Sequence, residues 1–229
     1  MEIKHVDVNN FVCNNRGNDL DNAIVDYKNK HVRLVHYVCE NSVPEIIKIM
    51  IDNGVNMDVP NFYKWKPIHI LCKRPNSDIL RYVIERCGGI EETTCEGLKP
   101  IHILCEHSIL NIIRFFIENN RGVNLEAVDN FGWKPIHYAC KYSTPETIEY
   151  LVEQGVNIKK CETNDGWIPL YLVCKYSTCD IILYMIDLTM WFDKKKVMKL
   201  IKENNNLTKE ERYMINHLLQ SRVNFCVVF

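Results

Sequence analysis

The sequence predicts an all-α solenoid of stacked helix-turn-helix units, with hairpin-like loops between units and helical caps at the ends. Three observations carry that prediction. The first is internal repetition: Lys66-Pro67-Ile68-His69-Ile70-Leu71-Cys72 returns as Lys99-Pro100-Ile101-His102-Ile103-Leu104-Cys105 and again as Lys134-Pro135-Ile136-His137-Tyr138-Ala139-Cys140. The second is the period. Weaker copies on either side, Arg33 to Cys39 and Ile168 to Cys174, extend the series, so that Cys39, Cys72, Cys105, Cys140 and Cys174 fall 33, 33, 35 and 34 residues apart. Periods of this size belong to helical units that each bury an apolar face only against their neighbours. The third is the column pattern ten and more residues after His36, His69, His102, His137 and Tyr171. Ile46-Ile47, Ile79-Leu80, Ile112-Ile113, Thr147-Ile148 and Ile181-Ile182 are followed by Ile49, Tyr82, Phe115, Tyr150 and Tyr184 with their apolar neighbours, the i, i+3, i+4 stripe of a buried helix face.

Each unit therefore holds two antiparallel helices. The Lys-Pro-Ile-His segment opens the shorter first one, with Pro at a position whose missing N–H costs nothing. The second starts at Pro44 or Pro145, or beside Glu45, Asp78, Glu146 and Asp180, whose charges suit the positive end of the helix dipole. It stops at Gly54, Gly88 or Gly155. Asp129-Asn130-Phe131-Gly132 and Asn164-Asp165-Gly166 are turn residues suited to a protruding loop. Lys64 stands where later copies have Gly97, Gly132 and Gly166, which predicts a strained or differently shaped loop around Trp65.

These residues resemble ankyrin repeats. The resemblance rests on the period, on a Gly-x-Thr-Pro-Leu-His-x-Ala-Ala type segment with Lys for Thr, Ile for Leu and Cys for the second Ala, and on the Gly-Val-Asn after the second helix. It covers about residues 31 to 190, as five units near 31–63, 64–96, 97–131, 132–165 and 166–190. The first copy has Leu34 in place of Pro and the fifth has Tyr171 in place of His, so the array frays toward its ends. The Lys-Pro-Ile-His and Tyr-Ser-Thr-Pro-Glu variants are similar to ankyrin proteins of large DNA viruses and protists. Residues 1–30 read as an N-terminal cap or degenerate repeat, with Leu20, Ile24 and Tyr27 in a capping helix. Residues 191–229 read as a C-terminal cap or degenerate repeat: one helix carries Val197, Leu200 and Ile201, and a second, after the Asn204-Asn205-Asn206 break, carries Tyr213, Met214, Leu218 and Leu219. Thr208 and Glu211 form a capping box for it.

The formal net charge of -1, with 25% charged residues, supplies no global field for nucleic acid or an anionic membrane. No apolar run nears the ~18 residues a membrane span needs, and the first residues are unlike a secretory signal. The expectation is a soluble, intracellular, monomeric protein, cytoplasmic or nuclear. Eleven cysteines would suggest disulfides in a small secreted chain, but five occupy one repeat column and read as reduced core thiols.

Several candidate chemistries can be weighed. His36 and Cys39, His69 and Cys72, His102 and Cys105, and His137 and Cys140 are each three apart on one helix face. Zinc needs four ligands within about 2.3 Å of one point, whereas each unit offers one pair and stacked helices lie about 8–10 Å apart. The structural reading is a His bonded to neighbouring backbone beside a small buried thiol, so no metal or cofactor is expected. A residue repeated in every unit is a poor candidate nucleophile, and no phosphate-binding glycine loop occurs. Catalytic residues are therefore expected to be none. The candidate binding feature is the column before each Pro-containing helix: Trp65, Leu98, Trp133 and Trp167, with Phe62, Tyr63 and Phe131 on the same loops. Such aromatics either anchor a partner or pack on the adjacent loop and stiffen the stack. Lys66, Lys99 and Lys134 read as a solvated or loop-bonding face. The expected function is a non-enzymatic interaction scaffold that holds an unidentified protein partner on its loop tips and first-helix face. The alternative is an adaptor that delivers the partner to ubiquitin-ligase or other machinery through residues 191–229.

Overall fold

The computed structural model describes residues 2–4, 7–27, 30–74, 77–87, 90–107, 110–120, 122–158, 161–189 and 192–221. The chain forms two compact units, Met1–Asn124 and Leu125–Phe229.

The first unit opens with β1 (Glu2–Lys4), α1 (Val8–Asn14), α2 (Asn18–Asp21), β2 (Ile24–Tyr27) and β3 (Lys30–Arg33). The strands make a three-stranded sheet, β1 parallel and β3 antiparallel to the central β2. This corrects the expected capping helix, because Ile24 and Tyr27 lie in a strand and only Leu20 is helical. Ile24-Val25-Asp26-Tyr27 alternates exposed and buried, with Val25 fully buried, a period-2 pattern of β-branched and aromatic residues that a sheet accommodates better than a helix. The helix pairs follow: α3 (Leu34–Asn41) with α4 (Pro44–Asp52), α5 (Pro67–Cys72) with α6 (Ser77–Cys87), and α7 (Pro100–His107) with α8 (Leu110–Asn119). First helices stack in the series α3, α5, α7 and second helices in the series α4, α6, α8, while α1 covers α4. The core is Val38, Ile47, Met50, Leu71, Ile79, Leu104, Ile113 and Phe116, all fully buried.

The second unit repeats the pattern with α9 (Pro135–Tyr142) and α10 (Pro145–Glu153), α11 (Pro169–Tyr176) and α12 (Cys179–Leu188), and α13 (Lys194–Glu203) and α14 (Lys209–Ser221). Here α11 packs between α9 and α13, and α14 lies against α12 and α13. Val197, Leu200 and Ile201 are buried as the apolar pattern implies. On α14 the inward residues are Ile215 and Leu219, whereas Tyr213 and Met214 face solvent at 74% and 46% exposure. A single-sided contact has room for one stripe, and the i, i+4 pair 215/219 takes it. Buried Asn204 ends α13 by donating its amide to the carbonyls of Cys174 and Ser177. Thr208 and Glu211 then make both reciprocal bonds of a capping box, 2.7 and 3.1 Å.

Local chemistry explains the ends of each helix. Pro occupies the first helical position of α4, α5, α9, α10 and α11. Gly54 and Gly155, at φ +81° and +86°, end α4 and α10. The next N–H reaches back five residues, Val55 to Met50 and Val156 to Leu151, the bond that closes a helix through a left-handed residue. Gly88 and Gly89 lie outside the described residues.

A candidate protein-binding surface

The repeated Lys-Pro-x-His segment works as a cap. The His side chain sits at the third helical position and accepts the N–H of the Lys before Pro: His69 Nδ1 from Lys66 at 3.0 Å, His102 from Lys99 at 3.0 Å and His137 from Lys134 at 2.9 Å. This is the capping-box geometry with an imidazole in place of a carboxylate. Because Nδ1 accepts, the proton sits on Nε2. That nitrogen donates onward to a carbonyl in the following loop, from His69 to Glu92 at 3.1 Å and from His137 to Cys161 at 3.3 Å. His36 makes the same onward bond to Trp65 at 3.0 Å, but among the described residues its Nδ1 has no partner, and Arg33, which stands where the other copies have the donating Lys, is paired with Ile24 in the sheet. Burial lowers the His36, His69 and His137 pKa values, that of His137 to about 4.

These bonds use both ring nitrogens of His69 and His137 within the fold, and among the described residues no three or more His, Cys, Asp or Glu gather where a metal could be held. The cysteine column is buried at Cys39, Cys72, Cys105, Cys140 and Cys174, and burial pushes the Cys174 thiol up to about 12. The Cys161 thiol touches an imidazole, Sγ to His137 Nε2 at 3.5 Å. Burial raises that thiol to about 11, so both groups are neutral near pH 7. An activated nucleophile requires the opposite shifts.

The loops are hairpins built on one device. In the first unit, the Asn61 side-chain oxygen accepts the N–H groups of Tyr63 and Trp65, both at 2.9 Å. The Thr94 hydroxyl accepts those of Glu96 and Leu98. In the second unit, Asp129 accepts from Phe131 and Trp133, both at 2.8 Å, and from the Tyr138 hydroxyl at 2.6 Å, while Thr163 accepts from Trp167. These Asx and Ser/Thr turns fix the tip. Tips join within each unit, Cys95 N–H to Tyr63 O and Asn164 N–H to Phe131 O, each 3.0 Å. Lys64 has φ +57°, so the loop keeps the glycine shape and the lysine takes the strain.

The loop-start lysines bond to the loops. Lys66 meets Asp58 at 2.7 Å and Glu92 at 3.2 Å, Lys99 meets Glu91 at 2.5 Å, and Lys134 meets Glu126 at 2.6 Å. Glu126 also accepts the Asn157 N–H at 2.8 Å. Burial would raise the Glu126 pKa, but Lys134 and that N–H outweigh it and hold the carboxyl below its usual range. The sequence reading missed these carboxylates and the Asn61, Thr94, Asp129 and Thr163 column. The signals were present: an acid eight residues before each Lys, and a turn-forming side chain four before each Trp or Leu.

The aromatic column divides into tips and supports. Phe62, Tyr63 and Phe131 stand out at 91%, 63% and 59% exposure. Trp65, Trp133 and Trp167 are half-buried. Trp133 packs on His137 and Tyr138, with ring centres 5.8 and 5.2 Å away. Each indole lies under the Lys eight residues on, Lys73 at 4.2 Å, Lys141 at 5.3 Å and Lys175 at 5.4 Å. Leu98 departs from the expected accessible row: it is 8% exposed, and Glu106 stands where the other copies have that Lys. A short aliphatic chain sinks inward where an indole is too large to be covered. In the first unit, Tyr63, Trp65, Ile70, Lys73 and Arg74 line a cavity of about 340 Å³ beneath the hairpin.

Paired helices joined by projecting hairpins define the class of helical repeat scaffolds. Within that class, the family model for ankyrin repeats matches residues 35–127, 74–161 and 121–196, and the chain belongs to the ankyrin-repeat family. Among curated proteins, none matches the chain closely enough to count as a relative. No helix among the described residues is long and apolar enough to cross a membrane. Ankyrin repeats generally mediate protein–protein interaction.

Proposed function

We propose that this chain is a non-enzymatic protein-interaction module whose partner lies on the hairpin tips and the adjoining first-helix face. The observation that carries the reading is the set of tips. Phe62, Tyr63 and Phe131 are large aromatics left in solvent on loops whose backbones are held by turns and neighbouring hairpins. Rigid aromatics supply contact area at little entropic cost. Within each unit the half-buried indoles, Trp65 in the first and Trp133 and Trp167 in the second, add their open edges to that unit's own surface. The cavity beside Trp65 is large enough to take a partner side chain.

Affinity purification with mass spectrometry, comparing intact protein with a Phe62→Ser, Tyr63→Ser, Phe131→Ser variant, tests this. A partner that the intact chain retains and the folded variant loses supports the reading, and equal recovery refutes it. A second reading, the adaptor, draws on Tyr213 and Met214, whose outward position on α14 leaves an unused apolar edge at the end of the array. Under that reading, Tyr213→Ser with Met214→Ser abolishes the downstream effect and leaves partner binding intact.

A further inference from the structure

Three ammonium groups in the second unit, those of Lys141, Lys175 and Lys196, lie on aromatic rings. Lys141 stands over Trp133, Tyr142 and Tyr176, at 5.3, 4.6 and 5.8 Å from the ring centres. Lys175 stands over Trp167 and Tyr176 at 5.4 and 5.5 Å. Lys196 stands over Tyr171 and Trp167 at 4.1 and 5.4 Å and donates to the Gly166 carbonyl at 2.9 Å. Among the described residues none of the three makes an ion pair, although Lys66, Lys99 and Lys134 each do. Two acids of this unit are engaged elsewhere, Asp129 in its turn and with Tyr138, and Asp193 as the cap of α13.

We infer that Lys141, Lys175 and Lys196 form a docking row for an acidic peptide segment of the partner, laid in extended form across the ends of α9 and α11. Three observations support that occupant. The first is charge. Lys194, Lys195 and Lys196 crowd the first turn of α13 with no acid among them, where the helix dipole disfavours cations. The one acid beside them, Asp193, is committed to the N–H groups of Lys195 and Lys196, and an anionic partner would offset the remaining repulsion. The second is spacing. Lys175 and Lys196 flank one indole at 5.4 Å each, which puts them within about 11 Å of one another. Lys141 and Lys175 share Tyr176 at 5.8 and 5.5 Å, which gives a similar limit. In a peptide extended as polyproline II, every third side chain returns to the same face, and carboxylates at that spacing are about 9 Å apart. The third is the state of the rings. A single-stranded nucleic acid would use them as stacking platforms, but the lysines already occupy the Trp133 and Trp167 faces. A carboxylate needs only the ammonium groups, which partial burial shields less from charge than full exposure would.

This inference deepens the protein-binding proposal and rests on it. The test uses the full chain and a short fluorescent peptide with glutamate at every third position, read by anisotropy at low and moderate salt. The expected result is saturable binding that weakens with salt, falls about tenfold or more in the Lys141→Gln, Lys175→Gln, Lys196→Gln variant, and survives Lys→Arg at the same positions. The glutamine analogue of the peptide, on the unaltered chain, should not bind. That arm tests the need for negative charge even if the triple variant fails to fold, and the single Lys→Gln variants then locate the site. Binding indifferent to the three lysines, equal binding of the glutamine analogue, or tighter binding of oligothymidylate overturns the inference. If the tip variant loses its natural partner while the lysine variant keeps it, the acidic docking row fails and the protein-binding reading stands.

Discussion

At the scale of single residues, the loops show how much one side chain settles. Lys64 adopts φ +57° where the corresponding residues are Gly97, Gly132 and Gly166 at +80°, +77° and +73°. A side chain in the left-handed region costs about 1 kcal/mol, so Lys64→Gly should raise the melting temperature by about 2–4 °C. No change in a thermal scan would mean that the lysine gains as much elsewhere as its backbone loses. Gly132 is the converse. A Cβ there would lie 2.5 Å from Asn164 Oδ1 and 2.9 Å from its backbone nitrogen, so Gly132→Ala should cost at least about 1–2 kcal/mol in denaturant unfolding. The need for a left-handed residue at 64 was legible in the aligned copies. The approach of Asn164 to Gly132 was not, because contacts between successive loops depend on how the units stack.

At the scale of elements, the first helix and its hairpin act as one piece. Asp129 fixes Phe131 and Trp133 and holds the Tyr138 hydroxyl, so it joins the tip to α9. Asp129→Ala should destabilise by about 1–3 kcal/mol and lower the exchange protection of the Trp133 amide, which NMR can read. Cys105 is fully buried. Cys105→Ser places a hydroxyl there at a cost of about 1–3 kcal/mol, and a neutral result in thermal unfolding would show that the column tolerates a polar group. Helix boundaries were legible because Pro, Gly and the capping pair at Thr208 and Glu211 act within a few residues. The N-terminal sheet was missed because Leu20, Ile24 and Tyr27 also fit a helical spacing, and only the fold shows that Val25 points inward. The Asp58, Glu91 and Glu126 partners of the lysine column were visible as a spacing but carried no meaning until the loops brought each acid back to its Lys.

At the scale of the whole molecule, the imidazole caps make stability depend on pH. Burial holds His36, His69 and His137 below their ordinary pKa. Each is neutral when folded, and the unfolded chain takes up the protons first. Their contribution is complete above about pH 6.5 and is lost as pH falls, for His137 until about 4. That one residue accounts for about 3 kcal/mol at the acid limit, and the lowered pKa of Glu126 acts in the same direction. Melting temperature should fall steadily from pH 7 to pH 5, less so in His137→Gln relative to its own value at pH 7. A flat profile would mean that the imidazoles are not buried as neutral caps. The repeat architecture itself was legible from period and columns, because the same apolar and capping chemistry recurs in each copy. Which aromatics stay exposed was not legible, since Trp, Phe and Leu differ in how deeply the same loop lets them sink. The division into exposed tips and supporting indoles is what the functional proposal stands on. Amide hydrogen exchange of the chain, alone and with its captured partner, tests that division most directly. The account predicts new protection at residues 61–65, 129–133 and 163–167 and at the ends of α9 and α11. Protection confined to the outer faces of α4, α6 and α10, with the hairpins unchanged, would contradict it.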